Sequence, residues 1–193
     1  IFPENQVRNT VRKIISDYFV GGLFFHPIIH SGYNIYLSLQ VAQCLLALGD
    51  IRGARNILKS VFKHRTDLWT YPEAIHPRTG GGVMGDGFHG WAFAEILLLL
   101  REFALQTKGD TLVIFPGLRP RELYGKPLWF GPFPAGGSTV TIRGNLDQKG
   151  GELHVEIPDV VRCGFKRIRI VLTDLRPGRA AVECSGGKAS MSR

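Results

Sequence analysis

Between positions 66 and 87 the chain concentrates side chains that can hold or act on a ligand. Trp69 and Tyr71 offer aromatic faces, while Glu73, His76, Arg78 and Asp86 are polar or ionisable. Gly80, Gly81, Gly82, Gly85 and Gly87 would let the backbone approach a bound molecule closely. His89 and Trp91 follow at once. A pyranose ring has an apolar face and a belt of hydroxyls, so aromatic faces beside carboxylates and donors suit a carbohydrate. A connection this long in a compact domain is also where function concentrates.

Other chemistries fit less well. The glycine run lacks the GxxxxGK(S/T) spacing of a phosphate-binding loop, and it follows a helix and loop, not a strand. His76 and His89 do not have a recognised zinc spacing, so a structural hydrogen bond is the simpler reading of each. No pattern calls for a metal or any other cofactor. Glu73 can cap a turn or pair with Arg78. Asp86 suits the N-terminal cap of the next helix, and Trp69, Tyr71 and Trp91 are either stacking platforms or core residues.

The elements around this loop follow from hydrophobic spacing. Val7, Val11, Ile14, Ile15 and Tyr18 form one stripe, predicting an amphipathic helix over 4–18. A breaker-rich stretch at 21–27 precedes Ser31, which is positioned to cap a second helix running to Leu48. That helix is apolar on every side. Gly49-Asp50 ends it, and residues 51–65 again carry a single stripe, including Ile51, Ala54, Ile57, Leu58, Val61 and Phe62. Residues 91–104 are apolar nearly all round, with Glu95 as the exception. Amphipathic and all-apolar helices thus alternate, which is the pattern of two concentric layers of helical hairpins.

After Gly109-Asp110 the character changes. Runs at 111–115, 138–143, 152–157, 167–172 and 179–184 are short, β-prone and divided by turn residues. They predict a small antiparallel β-sandwich-like domain over 110–184, with 185–193 as a frayed tail.

Composition bounds the partners. The 193 residues are 44% hydrophobic and 21% charged, ordinary for a soluble globular protein. Net charge is +8, and a basic balance raises nucleic acid as a partner. The charges are dispersed, however: residues 1–109 hold 11 Lys/Arg against 8 Asp/Glu, and residues 110–193 hold 13 against 8. Arg162, Lys166, Arg167 and Arg169 form the densest group, and alternation would set Arg167 and Arg169 on one solvated face. A nucleic-acid partner is therefore not expected. Nor is a membrane, since the apolar run 96–100 falls far short of a span and is closed by Arg101-Glu102. Cys44, Cys163 and Cys184 form no disulfide or zinc framework, although the last two could pair. The compartment stays open, leaning to the cytoplasm.

The run from Tyr71 to Glu95 (YPEAIHPRTGGGVMGDGFHGWAFAE) resembles the last inter-helix loop and final inner helix of six-hairpin, (α/α) toroid glycosidases. That superfamily includes glucoamylase-like, rhamnosidase-like and trehalase-like enzymes. The resemblance implies a mainly α N-terminal part over 1–109, the C-terminal hairpins of a partial (α/α) toroid, leading into the small β-domain. It implies that Glu73 is a general base, deprotonating the water that attacks the anomeric carbon in inverting hydrolysis. Trp69, Tyr71, His76, Arg78, Asp86, His89, Trp91 and Glu95 would then line the substrate side, with Glu95 paired or facing the toroid's cavity. Tyr33 and Tyr36 could reach the same rim.

The general acid of such enzymes lies in an earlier hairpin, so the chain reads as a C-terminal fragment bearing half a catalytic site. It would be inactive alone and prone to self-association through apolar faces of the helices at 32–48 and 91–105. A non-catalytic carbohydrate-binding or structural module is the alternative.

Overall fold

A computed structural model describes residues 3–28, 30–85, 87–148, 151–159 and 164–171. The chain divides into two units, Ile1–Phe103 and Ala104–Arg193. Asp86, Arg162, Cys163, Cys184, the strand expected at 179–184 and the tail 185–193 lie outside the described residues.

The first unit begins with α1 (Glu4–Tyr18), whose stripe buries Val11. Two short strands follow, β1 (Phe19–Val20) and β2 (Leu23–His26), and then β3 (Gly32–Asn34). Helix α2 (Ile35–Ala47) starts after Asn34, whose side-chain oxygen accepts a hydrogen bond from Leu37 N at 3.0 Å. Asn34, not Ser31, is thus the cap: Ser31 donates its hydroxyl to the Ile28 carbonyl, and the residues between extend into β3.

Gly49 takes a left-handed φ of 84°, and the amides of Gly49 and Asp50 return to Leu46 O and Leu45 O at 3.0 and 2.8 Å. This double closure ends α2 with its last carbonyls satisfied. Asp50 caps α3 (Ile51–Lys63) through Gly53 N at 2.9 Å. Ala54, Ile57, Leu58 and Val61 turn inward and pack with α2.

Strands β4 (Ala74–Ile75) and β5 (Gly82–Met84) precede α4 (Gly90–Ala104). All five strands join one antiparallel sheet in the order β1-β2-β3-β4-β5, with Tyr33 opposite Ile75 and Asn34 opposite Ala74.

The sheet overturns the expected mainly α, partial (α/α) toroid. Among the described residues the chain is mixed, about 37% helix and 32% strand. The stretches before α2 and before α4 are not plain hairpin loops; they hydrogen-bond to one another across the sequence. Nor is α4 an inner helix, because Trp91, Leu97, Leu98 and Leu100 on it are exposed, Leu97 by 68%. An all-apolar helix was the basis for an inner layer, and here part of that apolar surface meets solvent.

The second unit has two three-stranded sheets. Strands β8 (Pro127–Ala135), β9 (Ser138–Leu146) and β10 (Gly151–Glu156) form an antiparallel meander. In the other sheet β6 (Leu105–Lys108) pairs antiparallel with β7 (Thr111–Ile114), while β11 (Arg167–Ile170) pairs with β7 in parallel. The sheet is therefore mixed, which corrects the expectation of an antiparallel domain. Leu105, Leu112 and Ile114 from one sheet share a core with Leu128, Val140 and Ile142 from the other, and Leu123 of the short helix α5 (Pro120–Leu123) joins them.

Candidate functional site

Glu73 immediately precedes β4 and His89 immediately precedes α4, so neither sits in a regular element. Backbone hydrogen bonds hold both. The Glu73 carbonyl accepts from Ile35 N at 3.4 Å, tying the loop to the first residue of α2. His89 N donates to Tyr71 O at 2.9 Å. Gly85, with a left-handed φ of 69°, packs against Glu73 so closely that an added Cβ would stand 3.2 Å from the Glu73 Cβ. The loop thus folds back against the backbone and Cβ of Glu73, and glycine makes the approach possible.

The Glu73 Oε2 lies 3.8 Å from His89 Nε2, and both side chains are mostly enclosed. His89 Nδ1 is buried and has no hydrogen-bond partner among the described residues. A buried N–H without an acceptor costs more than a buried lone pair without a donor. The neutral ring is therefore better served by carrying its proton on Nε2, toward Glu73.

Three rings gather at this point. Tyr36 stands 5.3 Å from His89 and 5.3 Å from Trp91, and His89 is 5.7 Å from Trp91, centroid to centroid. The Tyr36 and Trp91 rings meet edge to face, a favoured aromatic geometry. Burial pushes the Tyr36 hydroxyl up, and the nearby Glu73 carboxylate adds to the shift. Trp91 remains 64% exposed, so one aromatic surface of the group faces solvent beside the carboxylate.

The other loop residues have separate work. Tyr71, only 1% exposed, packs on Phe93 at 6.4 Å and belongs to the core. Burial raises its hydroxyl pKa, with Arg65 acting in the opposite direction. Trp69 sits with Phe62 and under the Arg65 guanidinium, 4.3 Å from its ring centroid. His76 Nδ1 accepts from the amides of Arg78 and Thr79, each at 3.2 Å, and staples the turn between β4 and β5. That lone pair is occupied. The Arg78 guanidinium meets no carboxylate among the described residues, so Glu73 has His89 and not Arg78 beside it.

Glu95 is paired. Gln40 Nε2 donates to its Oε1 at 2.8 Å and Gln43 Nε2 to its Oε2, which clamps α2 to α4. Tyr33 is buried and packs on His64 at 5.3 Å, away from the Tyr36 group.

Sequence spacing draws attention to Glu73, His89 and Trp91 but gives no signal that Asn34 matters. Its capping role on α2 orients Tyr36 two positions later, and Asn34 is fully buried. Among the described residues no group of three metal-ligating side chains converges. No described helix is long and apolar enough to cross a membrane. Comparison with protein-family models, with curated proteins and with solved structures gave no match.

Proposed function

We propose that the Glu73 group is a carbohydrate site of a glycoside hydrolase, with Glu73 as the general base and Trp91 as a surface on which a sugar ring stacks. The observation that carries this reading is the Glu73–His89 pair at 3.8 Å within the Tyr36–His89–Trp91 ring cluster. A carboxylate that takes a proton from water needs a neighbour that fixes its orientation without neutralising it permanently. His89 Nε2, 3.8 Å from Glu73 Oε2, is the candidate for that neighbour once the pair tightens to hydrogen-bond distance around a substrate. The resemblance of the loop to the base-bearing loop of six-hairpin glycosidases supports the role of Glu73, although the toroid itself is not the fold of this chain.

A binding-only site is the second reading. Inverting hydrolysis needs a second carboxyl roughly 6.5–9.5 Å from the first. Glu95, the next acid on the chain after the loop, is held by two glutamines.

Glu73→Gln in the intact protein separates the two readings, using a panel of aryl glycosides and oligosaccharides. The hydrolase reading expects turnover to fall by about 100-fold or more while sugar binding persists. Unchanged turnover would remove Glu73 as the base. Saccharide binding with no turnover in either form would leave the binding-only reading.

A further inference from the structure

Across the outer face of the β8–β9–β10 sheet, Trp129 lies opposite Arg143, and Arg143 lies opposite His154. These three side chains form one row spanning the meander. The next row along the strands is Pro127, Asn145 and Glu152. Burial alternates along each strand, so both rows face away from the core formed by Leu128, Val140 and Ile142.

Trp129 is 67% exposed, and the Arg143 guanidinium lies 4.5 Å from its ring centroid. The guanidinium covers one part of the indole and restricts its rotamers, leaving the rest of the ring to solvent. A single exposed aromatic is ordinary on a protein surface. The row it belongs to reaches a cleft through His154, on the far side of Arg143. At the end of the β9–β10 hairpin a cleft of about 400 Å³ is lined by Asn145, Asp147, Glu152 and His154, with Gly144 and Gly151. His154 belongs both to the cleft and to the Trp129 row, and its Nε2 is 3.5 Å from Glu152 Oε2.

The chemistry is an apolar ring beside a polar hollow holding donors and acceptors of both signs. The Glu152 carboxylate in the cleft opposes a phosphate or nucleic acid, which would meet like charge there. A neutral polyhydroxylated ligand can use the same carboxylate as an acceptor and Asn145 and His154 as donors.

We infer that this face binds a neutral oligosaccharide, one sugar ring on Trp129 and a ring further along the chain in the cleft. The ladder holds the platform and the polar groups in fixed register before any ligand arrives, which lowers the ordering cost of binding. The site lies wholly in the second unit and does not depend on Glu73.

Titration of the full chain with maltohexaose, cellohexaose, xylohexaose and mannohexaose tests it, by calorimetry and by ¹H–¹⁵N NMR. At least one hexaose should bind and shift the Trp129 indole N–H and the Asn145 side-chain amide. Trp129→Ala and Asn145→Ala should each weaken that binding by about tenfold or more. If a variant does not fold, the wild-type NMR shifts decide alone. Absence of binding to all four sugars overturns the inference. So do shifts confined to Trp69 and Trp91, or an affinity that survives Trp129→Ala within about twofold.

Discussion

The Glu73 carboxylate and the His89 imidazole face each other at 3.8 Å, brought together by two backbone bonds from opposite ends of one loop. Glu73 is fixed through Ile35 and His89 through Tyr71, so the pair depends on α2 and on a core tyrosine as much as on the loop. His89→Ala should therefore lower any turnover attributed to Glu73 by about tenfold, with a smaller change in substrate KM. Equal losses in kcat and kcat/KM would mark an interaction used in the transition state. A change in KM alone would assign His89 to substrate binding.

Trp91→Ala removes the exposed ring of the same group while leaving the carboxylate in place. A weakened KM with kcat preserved is expected, measured on the best glycoside found. If both constants stay put, the sugar does not stack there.

Asn34→Ala deletes the cap of α2 at a fully buried position. The loss should be about 1–2 kcal/mol, read from chemical denaturation. Asn34→Asp keeps the acceptor for Leu37 N, but the carboxylate is charged and buried, so its own penalty should keep it from full rescue. A stability within about 0.3 kcal/mol of wild type for the alanine variant would refute the cap.

Asp110 anchors β11 beside β7. Its side chain accepts from Arg167 at 2.8 Å, and its carbonyl accepts from Lys166 N at 2.9 Å. The hydrogen bond from Arg167 holds the Asp110 carboxyl below the usual aspartate value. A lowered folded-state pKa means the contact stabilises above the unfolded value and is lost as pH falls through the folded one. The protection factors of the amides at Arg167–Ile170, each rate taken relative to intrinsic exchange at the same pH, should fall on acidification below about pH 4, more at low salt than at high. In Asp110→Asn that acid dependence should be absent. If the variant shows the same pH profile, another group controls the strand.

Exposure of Trp91, Leu97, Leu98 and Leu100 on one helix predicts concentration-dependent self-association. Light scattering should show it, and Leu97→Lys with Leu98→Lys should reduce it. A monodisperse monomer at high concentration would count against that prediction.

The helices were legible where one stripe meets one core, as in α1 and α3, because the 3.6-residue period survives any context. Their arrangement was not. Gly32, Tyr33 and Asn34 form a strand because Phe25 and His26 pair with it on one side and Ala74 and Ile75 on the other, and three residues are too few to display a period of two. The β8 strand was hidden by Pro127, Pro132 and Pro134, which read as breakers. The register shift between Phe130 and Phe133 accommodates Gly131-Pro132 within the ladder. In the site, the residue types around Glu73 could be read from the loop. Tyr33 and Tyr36 could both be read as near the rim; that Tyr36 joins the cluster while Tyr33 packs on His64, and that Trp69 meets Arg65, depends on which way a helix end turns.

Pairing of β3 with β4 also has a kinetic side. The Glu73 loop is not completed by its neighbours in sequence; it waits for a segment before α2. Closing a flexible chain of about 40 residues costs roughly 3–4 kcal/mol of entropy, less here because the α2–α3 hairpin lies between the ends and folds locally. Helical structure should consequently appear before the carboxylate finds its histidine. Under mild destabilisation the order reverses, and the amides of Ala74 and Ile75 should open while α2 and α3 remain protected. The part of the first unit proposed to touch a ligand is then the last to fold and the first to let go.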